Sequence, residues 1–151
     1  MVTQITDASK KEQIARAILI RLPDWFGVPE STQGYIEGVR DKPFWADYDG
    51  DIPRGFISLK ETSPATAEIY VMGVLPEHHR GGSGELLYHA FEEYAKGIGY
   101  SFVQVKTVKH GVWDSYDKTN AFYIAMGFQE LECFPNFWDE KNPCMIYIKA
   151  I

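Results

Sequence analysis

The stretch VLPEHHRGGSGELL, residues 74–87, connects an apolar run to a segment with helical spacing through a turn rich in glycine. Gly81, Gly82 and Gly84 let the backbone adopt unusual dihedral angles and let a ligand approach without meeting a Cβ. At the start of a helix, backbone N–H groups and the positive end of the dipole favour phosphate oxygens. The stretch therefore predicts an anion site, with a turn that needs glycine only for its geometry as the alternative.

The segments on either side of this turn predict a strand, a helix and a second strand. Residues 67–75 are rich in Ile, Tyr and Val, as is typical of a central strand. From Glu85, apolar residues recur on one helical face as far as Tyr94, and Gly97 and Gly99 predict the end of the helix. Residues 102–108 form the next strand, and this connection implies that the two strands are parallel.

The rest of the chain predicts a single mixed α/β domain over residues 1–151. Asp7 or Ser9 is expected to cap the first helix, and Ser31 the second. The Asp-Gly pair before residue 51 predicts a hairpin. The predicted helices cover residues 8–22, 31–39 and 117–126, and the predicted strands cover residues 2–6, 44–48, 55–60, 128–133 and 145–149.

Composition and charge exclude several classes of protein. The net charge is −6 and the basic residues are dispersed, so we expect no nucleic-acid partner. No segment has the length and apolar character of a membrane span or signal peptide, and no membrane partner is expected. Cys133 and Cys144 lack metal-ligand or redox spacing, which predicts reduced thiols in the cytoplasm.

Two familiar phosphate-binding motifs do not fit the turn. A nucleotide-triphosphate loop requires Lys followed by Ser or Thr after its last glycine, but Glu85 and Leu86 follow here. A dinucleotide fingerprint requires Gly or Ala at the position of Leu87 and an acid near the end of the next strand, where Gln104 and Lys106 stand. A nucleotide-binding redox domain is therefore disfavoured.

Two blocks of sequence resemble the GNAT superfamily of acyl-CoA-dependent N-acyltransferases. Residues 79–84, HRGGSG, match the glycines of that family's pyrophosphate motif, although His79 stands where Gln or Arg is usual. Residues 119–128, TNAFYIAMGF, are similar to its helix that ends in Tyr, three residues, Gly-Phe. Tyr116 replaces the asparagine usually found seven residues before that tyrosine.

The resemblance implies a GNAT-like sheet that is mixed and mostly antiparallel, with a splayed central pair of parallel strands and flanking helices. It also implies that acetyl-CoA is the cosubstrate. The strand ending at Val74 and Leu75 is expected to expose backbone groups to the pantetheine arm, with Val74 N–H near the thioester oxygen. The expected pyrophosphate residues follow the strand: His79, chiefly through its backbone N–H, Arg80, Gly81, Gly82, Ser83, Gly84 and Glu85.

The same resemblance assigns the proton chemistry to two residues. Glu68 opens the strand before the glycine turn, where some members keep a catalytic glutamate that deprotonates the amine directly or through water. Tyr123 occupies the place of the tyrosine that protonates the departing thiolate. An exposed strand-end carboxylate and an aromatic core residue are the structural alternatives for these two positions.

The acceptor is predicted to be an amine of a small molecule, peptide or protein. Large aromatics outside the predicted elements and a nearby acid are the candidate contacts: Trp25, Phe26, Trp113, Asp114 and Tyr116. No metal site is expected, because His78 and His79 lack ligands at suitable spacing. The resemblance also implies that homodimers occur. The predicted function is N-acetyl transfer by direct attack, with a non-catalytic acyl-CoA-binding module as the alternative.

Overall fold

The computed structural model describes residues 1–151 as a seven-stranded sheet flanked by helices. The strands are β1 (Val2–Gln4), β2 (Phe44–Asp49), β3 (Ile52–Ser63), β4 (Thr66–Val74), β5 (Phe102–Val108), β6 (Gln129–Asp139) and β7 (Asn142–Ala150). The helices are α1 (Ala8–Leu19), α2 (Pro29–Gly38), α3 (Ser83–Ile98) and α4 (Asp114–Ala125), with short 3-10 turns at Val39–Asp41 and Pro76–His78. The predicted mixed α/β fold is confirmed.

The sheet divides into two halves that meet at a single parallel pair. Its order is β1-β2-β3-β4-β5-β7-β6, and only β4 and β5 are parallel. Their pairing begins at Thr66 and Phe102 and ends at Glu68 and Gln104. Beyond this point β4 stays paired with β3, and β5 stays paired with β7. The predicted splay is therefore confirmed, and the strands diverge directly after Glu68.

A β-bulge follows the last parallel pair. Ser58 of β3 pairs with Val71 and Leu59 pairs with Ile69, which leaves Tyr70 as an extra residue in β4. A bulge bends its strand and shifts the alternation of side chains. Ile69 accordingly packs into the core under α3, whereas Val71 packs into the core under α1. The bulge thus helps to turn β4 away from β5.

The two faces of the sheet carry separate cores. Leu87, Tyr88 and Phe91 of α3 pack with Val103, Val105 and Tyr147 on one face, and Tyr123 of α4 joins them. Ile14, Ile18 and Leu19 of α1 pack with Phe44, Phe56 and Val71 on the other face. The sheet therefore separates α3 from α1.

Two helix starts differ from the sequence-based expectation. Pro29 begins α2, so Ser31 lies inside the helix and does not cap it. Pro is well suited to a first helical position because its missing N–H would have no partner there. Asp114 begins α4, and both Asp114 and Asp117 lie in its first turn, where acids favour the dipole. The Asp7 cap is confirmed, since its carboxylate accepts from Lys10 N–H at 2.8 Å.

Candidate active site

The glycine turn presents an uncapped helix end. Gly82 precedes α3 with a φ of +85°, and no side chain caps the helix. The N–H groups of Ser83, Gly84 and Glu85 have no acceptor within the chain. A Cβ at Gly82 would meet nothing within 4 Å, so the turn is open above this residue. These donors fit an anionic group such as a phosphate.

The glycines of the turn have different structural roles. Arg80 also adopts a positive φ, 66°, which is unusual for a residue with a side chain. A Cβ at Gly84 would lie 3.2 Å from Phe122 and 3.4 Å from Met72, so this glycine lets α3 pack closely on α4 and β4. Only Gly82 therefore combines an unusual backbone conformation with open space.

A buried carboxylate lies beneath the first turn of α3. Asp47 is fully buried and accepts from Arg54 Nε at 2.8 Å. Ser83 Oγ lies near this carboxylate but completes no hydrogen bond. Burial opposes the charge of Asp47, yet its hydrogen bonds, led by that of Arg54, hold its pKa below the usual value. The ion pair therefore anchors β2 and β3 behind the turn.

His79 connects the turn to the end of β4 through its side chain. Its Nε2 lies 2.7 Å from the carbonyl oxygen of Val74. Its backbone N–H donates to Pro76 O at 3.2 Å, so this group is engaged within the chain. The Trp25 ring meets the imidazole edge-on at a centroid distance of 5.6 Å.

The backbone of Val74 faces the opening between β4 and β5. Leu75 N–H donates to Arg54 O across the β3 side at 2.8 Å. Because successive residues of a strand direct their backbone groups to opposite sides, Val74 directs its own groups away from β3. The strand end thus offers Val74 N–H to the opening, whereas the Val74 carbonyl oxygen faces His79. The predicted exposure of the Leu75 backbone is wrong, because its N–H donates to Arg54 O and its C=O accepts from His78 N–H.

Glu68 lies at the closed end of the opening, and only 6% of its surface is exposed. One carboxylate oxygen, Oε2, accepts from Gln104 Nε2 at 2.7 Å and lies 3.0 Å from Lys106 Nζ. Both partners belong to β5. Glu68 is therefore a buried carboxylate, and the structural alternative of an exposed carboxylate at a strand end is wrong.

Tyrosines surround Glu68 on the side of α2. Burial and the neighbouring Tyr70 and Glu68 raise the pKa of Tyr35. Burial and the neighbouring Tyr35 raise the pKa of Tyr116 to about 12. A side chain at Gly38 would collide with the Tyr70 hydroxyl, so this glycine makes room for the ring. The carboxylate thus lies beside a group of protonated phenols.

Tyr123 is a further protonated phenol, and it lies in the core on the α3 face of the sheet. Its ring packs against Phe122, Phe128 and Tyr147 with centroid distances of 5.5, 5.7 and 6.2 Å. Burial and the neighbouring Tyr116 raise its pKa, so the hydroxyl stays protonated at neutral pH. The hydroxyl has no partner within the chain, yet it is not among the fully buried unpaired atoms. It therefore reaches solvent at the site.

The loop between α1 and α2 crosses from the glycine turn to α4. Trp25 Nε1 donates to Thr119 Oγ1 at 3.0 Å and to Ser115 O at 3.2 Å. Tyr116 donates its hydroxyl to Trp25 O at 2.8 Å. Phe26 packs edge-on against Tyr35 at 6.0 Å. The structure thus places Trp25, Phe26 and Tyr116 together beside the opening.

The other predicted contacts lie at the start of α4. Trp113 is 49% exposed and donates from Nε1 to Asn142 Oδ1 at 2.9 Å, at the start of β7. Asp114 is an exposed residue of the first turn of α4, and Asp117 accepts from Gly111 N–H at 2.6 Å. Trp113 and Asp114 are therefore tied to the β6–β7 hairpin and the helix start. No group of three or more His, Cys, Asp or Glu side chains is arranged to hold a metal.

Sequence reasoning missed four residues that shape the site. From the sequence, Gln104 and Lys106 indicate only that β5 lacks the acid of a dinucleotide site. Their alternation with the valines of β5 was the available signal that both side chains lie on one face of the sheet. Tyr35 and Tyr70 carry no motif. Their proximity to Glu68 depends on the packing of α2 over the bulge, which no local pattern reveals.

The sequence and the fold are similar to those of known acetyltransferases. The model of the acetyltransferase (GNAT) family matches residues 9–128. A GNAT-family protein from Desulfovibrio desulfuricans has 16% identity, a TM-score of 0.85 and 99% coverage of both chains. The aminoglycoside 6'-N-acetyltransferase from Enterococcus faecium has 17% identity and a TM-score of 0.77, covering 99% of this chain and 96% of its own.

A third solved structure has a protein acceptor in its name. The ribosomal-protein-S18-alanine N-acetyltransferase from Escherichia coli has 15% identity and a TM-score of 0.78, covering 100% of this chain and 94% of its own. A search of curated protein sequences found no match. At these identities the structural likeness establishes the fold, while the family model spans most of the chain. No helix is both long and apolar enough to cross a membrane.

Proposed function

Because the chain belongs to the acetyltransferase (GNAT) family, we propose that it transfers an acetyl group from acetyl-CoA to a primary amine within a ternary complex. As a member of this family the protein is an acyltransferase, with acetyl-CoA as its cosubstrate. The observation that carries the proposal is the divergence of β4 from β5 after Glu68. The opening lies between an anion site at α3 and a carboxylate surrounded by tyrosines.

The turn and the strand end supply the contacts to the cosubstrate. The free N–H groups of Ser83, Gly84 and Glu85 suit the pyrophosphate, and Arg80 adds a cation beside them. The full set proposed to line the cosubstrate site is Val74, Leu75, His79, Arg80, Gly81, Gly82, Ser83, Gly84 and Glu85. In this proposal Val74 N–H stabilises the negative charge that develops on the thioester oxygen.

Glu68 acts as the general base in this proposal. An amine with a pKa near 10 needs about 4 kcal/mol to lose its proton at pH 7. The carboxylate takes this proton directly or through water, the nitrogen lone pair attacks the acetyl carbonyl, and the C–S bond breaks. The second proton that the nitrogen loses on forming the amide balances the proton that the departing thiolate gains. A carboxylate at the closed end of the opening is placed to serve this step.

Tyr123 acts as the general acid that protonates or hydrogen-bonds the departing thiolate. Its raised pKa keeps the hydroxyl protonated, and its lack of a partner within the chain leaves the proton available. Tyr116 lies near Tyr123, Tyr35 lies near Tyr116, and Glu68 lies near Tyr35. Together these residues place a base and an acid around one opening.

The acceptor in this proposal approaches from the side of α2. Trp25, Phe26 and Tyr116 provide aromatic surface there, and the net charge of −6 favours a cationic amine. The named acceptors of the Enterococcus and Escherichia proteins are an aminoglycoside and a protein alanine. We therefore propose an amine on a small molecule or a polypeptide as the acceptor.

The proposal is tested by measuring acetyl-CoA turnover against a panel of small amines, polyamines and peptides. Glu68→Gln is expected to lower kcat by about 10²- to 10⁴-fold, because no carboxylate is left to take the proton of the amine. Tyr123→Phe is expected to lower kcat by about the same factor while acetyl-CoA binding is retained.

Two results would count against this function. Tight CoA binding without turnover of any amine would support the non-catalytic acyl-CoA-binding module. A Glu68→Gln variant that keeps the wild-type kcat would show that another group removes the proton.

A further inference from the structure

Both donors that contact the Glu68 side chain bind the same oxygen atom. Gln104 Nε2 and Lys106 Nζ lie 2.7 and 3.0 Å from Oε2. The second oxygen, Oε1, accepts no hydrogen bond within the chain and is not among the fully buried unpaired atoms. The carboxylate is therefore held asymmetrically, with one oxygen occupied and the other able to meet solvent.

The sheet itself fixes the two donors. Gln104 lies opposite Glu68 in the last parallel pair, and Lys106 follows two residues later on the same face of β5. Lys106 is half-buried, and its ammonium lies 5.6 Å from the centroid of the Phe137 ring in β6. Packing on this ring restricts the lysine to the diverging part of the opening.

We propose that Gln104 and Lys106 are positioning residues, which hold Glu68 through Oε2 and direct Oε1 at the acceptor amine. This inference rests on the proposed role of Glu68 as the base. A carboxylate needs only one free oxygen to accept the proton, while the occupied oxygen fixes the rotation of the side chain. A base held in this way loses little conformational entropy when the amine arrives.

Other polar groups also face Glu68. Lys60 pairs with it in register on β3, Tyr35 faces it from α2, Tyr70 follows it in β4 and Cys144 lies near it in β7. Among the cations only Lys106 forms an ion pair with the carboxylate. Removing this one side chain therefore leaves the Gln104 amide as the only partner of Oε2 within the chain.

The test compares Lys106→Met with Lys106→Arg, and Lys109→Met serves as a control directly after the same strand. In Lys106→Met kcat is expected to fall about 10-fold while the KM for acetyl-CoA stays unchanged, because Glu68 loses one of the two contacts that fix its rotation. Lys106→Arg should restore most of kcat, because it keeps a donor and a positive charge beside Oε2. Lys109→Met should leave kcat unchanged, since the donors to Glu68 are Gln104 and Lys106. Melting temperature and acetyl-CoA affinity establish that each variant is folded.

A readout independent of turnover completes the test. The NMR relaxation of the Glu68 side chain, assigned by its loss in Glu68→Gln, should show greater side-chain mobility in Lys106→Met than in wild type. Unchanged kcat and unchanged mobility in Lys106→Met would overturn the positioning role. If Glu68→Gln keeps the wild-type kcat, the proposed base is wrong, whereas a loss of kcat in Glu68→Gln without one in Lys106→Met contradicts the positioning inference alone.

Discussion

At the scale of single residues, the glycine turn depends on one backbone conformation. Gly82 adopts a φ of +85° directly before α3, and the space beside it is open. At Gly84, by contrast, a Cβ would lie only 3.2 Å from Phe122 and 3.4 Å from Met72, so this glycine is closely packed. Two glycines that look equivalent in the sequence thus serve a ligand-facing turn and a protein interior.

Gly82→Ala is expected to lower both stability and cosubstrate affinity. An alanine in the left-handed region costs about 1–2 kcal/mol. Any relaxation of the turn to avoid this cost also reorients the N–H groups of α3. Thermal unfolding and CoA titration measure the two effects.

Gly99→Ala provides the matched control, because Gly99 ends α3 with a φ of +107°. It is expected to lower the melting temperature by a similar amount and to leave CoA affinity unchanged. Equal losses of affinity in both variants would show that the turn at Gly82 has no special role in binding.

At the scale of elements, a buried amide joins α4 to the sheet. Asn120 is 2% exposed and donates to Val108 O at 2.9 Å and to Tyr116 O at 2.6 Å. Its Oδ1 accepts from the Tyr147 hydroxyl at 2.6 Å. The amide thus connects the end of β5 and the middle of β7 to the helix that carries Tyr116 and Tyr123.

Asn120→Ala is expected to reduce the free energy of unfolding by about 2–4 kcal/mol, because it leaves a hydroxyl and a carbonyl buried without partners. Tyr147→Phe, which removes one donor, should cost about 1–2 kcal/mol. Denaturant unfolding of both single variants and the double variant measures the coupling. Additive losses would contradict a shared network.

At the scale of the whole molecule, ionisable groups restrict the pH range of stability. Burial opposes the charge of Glu92, but its partners, led by Lys149, hold its pKa below the usual value. The hydrogen bonds of Asp47 likewise hold the pKa of that carboxylate below its usual value. Burial raises the pKa of Tyr88 and Tyr123, and brings that of Tyr116 to about 12. The folded state therefore favours charged acids and neutral phenols.

The free energy of unfolding is expected to be highest between about pH 5 and pH 9. The depressed pKa values of Asp47 and Glu92 contribute stability above the unfolded pKa near 4, and this is lost as pH falls through the folded values. The raised tyrosine values contribute stability below the unfolded pKa near 10, and this is lost as pH rises.

Glu92→Gln tests the acidic side of this range. Denaturant unfolding at a series of pH values should show a weaker decline below about pH 4 in this variant than in wild type. An identical decline would assign the acid sensitivity to other groups.

Much of the fold and part of the site followed from local patterns. The strand, glycine turn and helix were predicted because apolar periodicity and glycine content report directly on backbone conformation. The family motifs in the turn and in α4 then implied the splayed sheet, which the structure confirms. The cytoplasmic location and homodimers stay predictions.

The sequence by itself thus determined the order of the elements, the helix start after the glycine turn and the candidates Glu68 and Tyr123. Only the tertiary structure decided which oxygen of Glu68 is occupied, and that Trp25, Phe26 and Tyr116 lie beside the opening while Trp113 bonds to Asn142. The physical reason is that local conformation depends on neighbours along the chain. The contacts of a site depend on the bulge at Tyr70 and on the packing of α2 and α4 against distant strands.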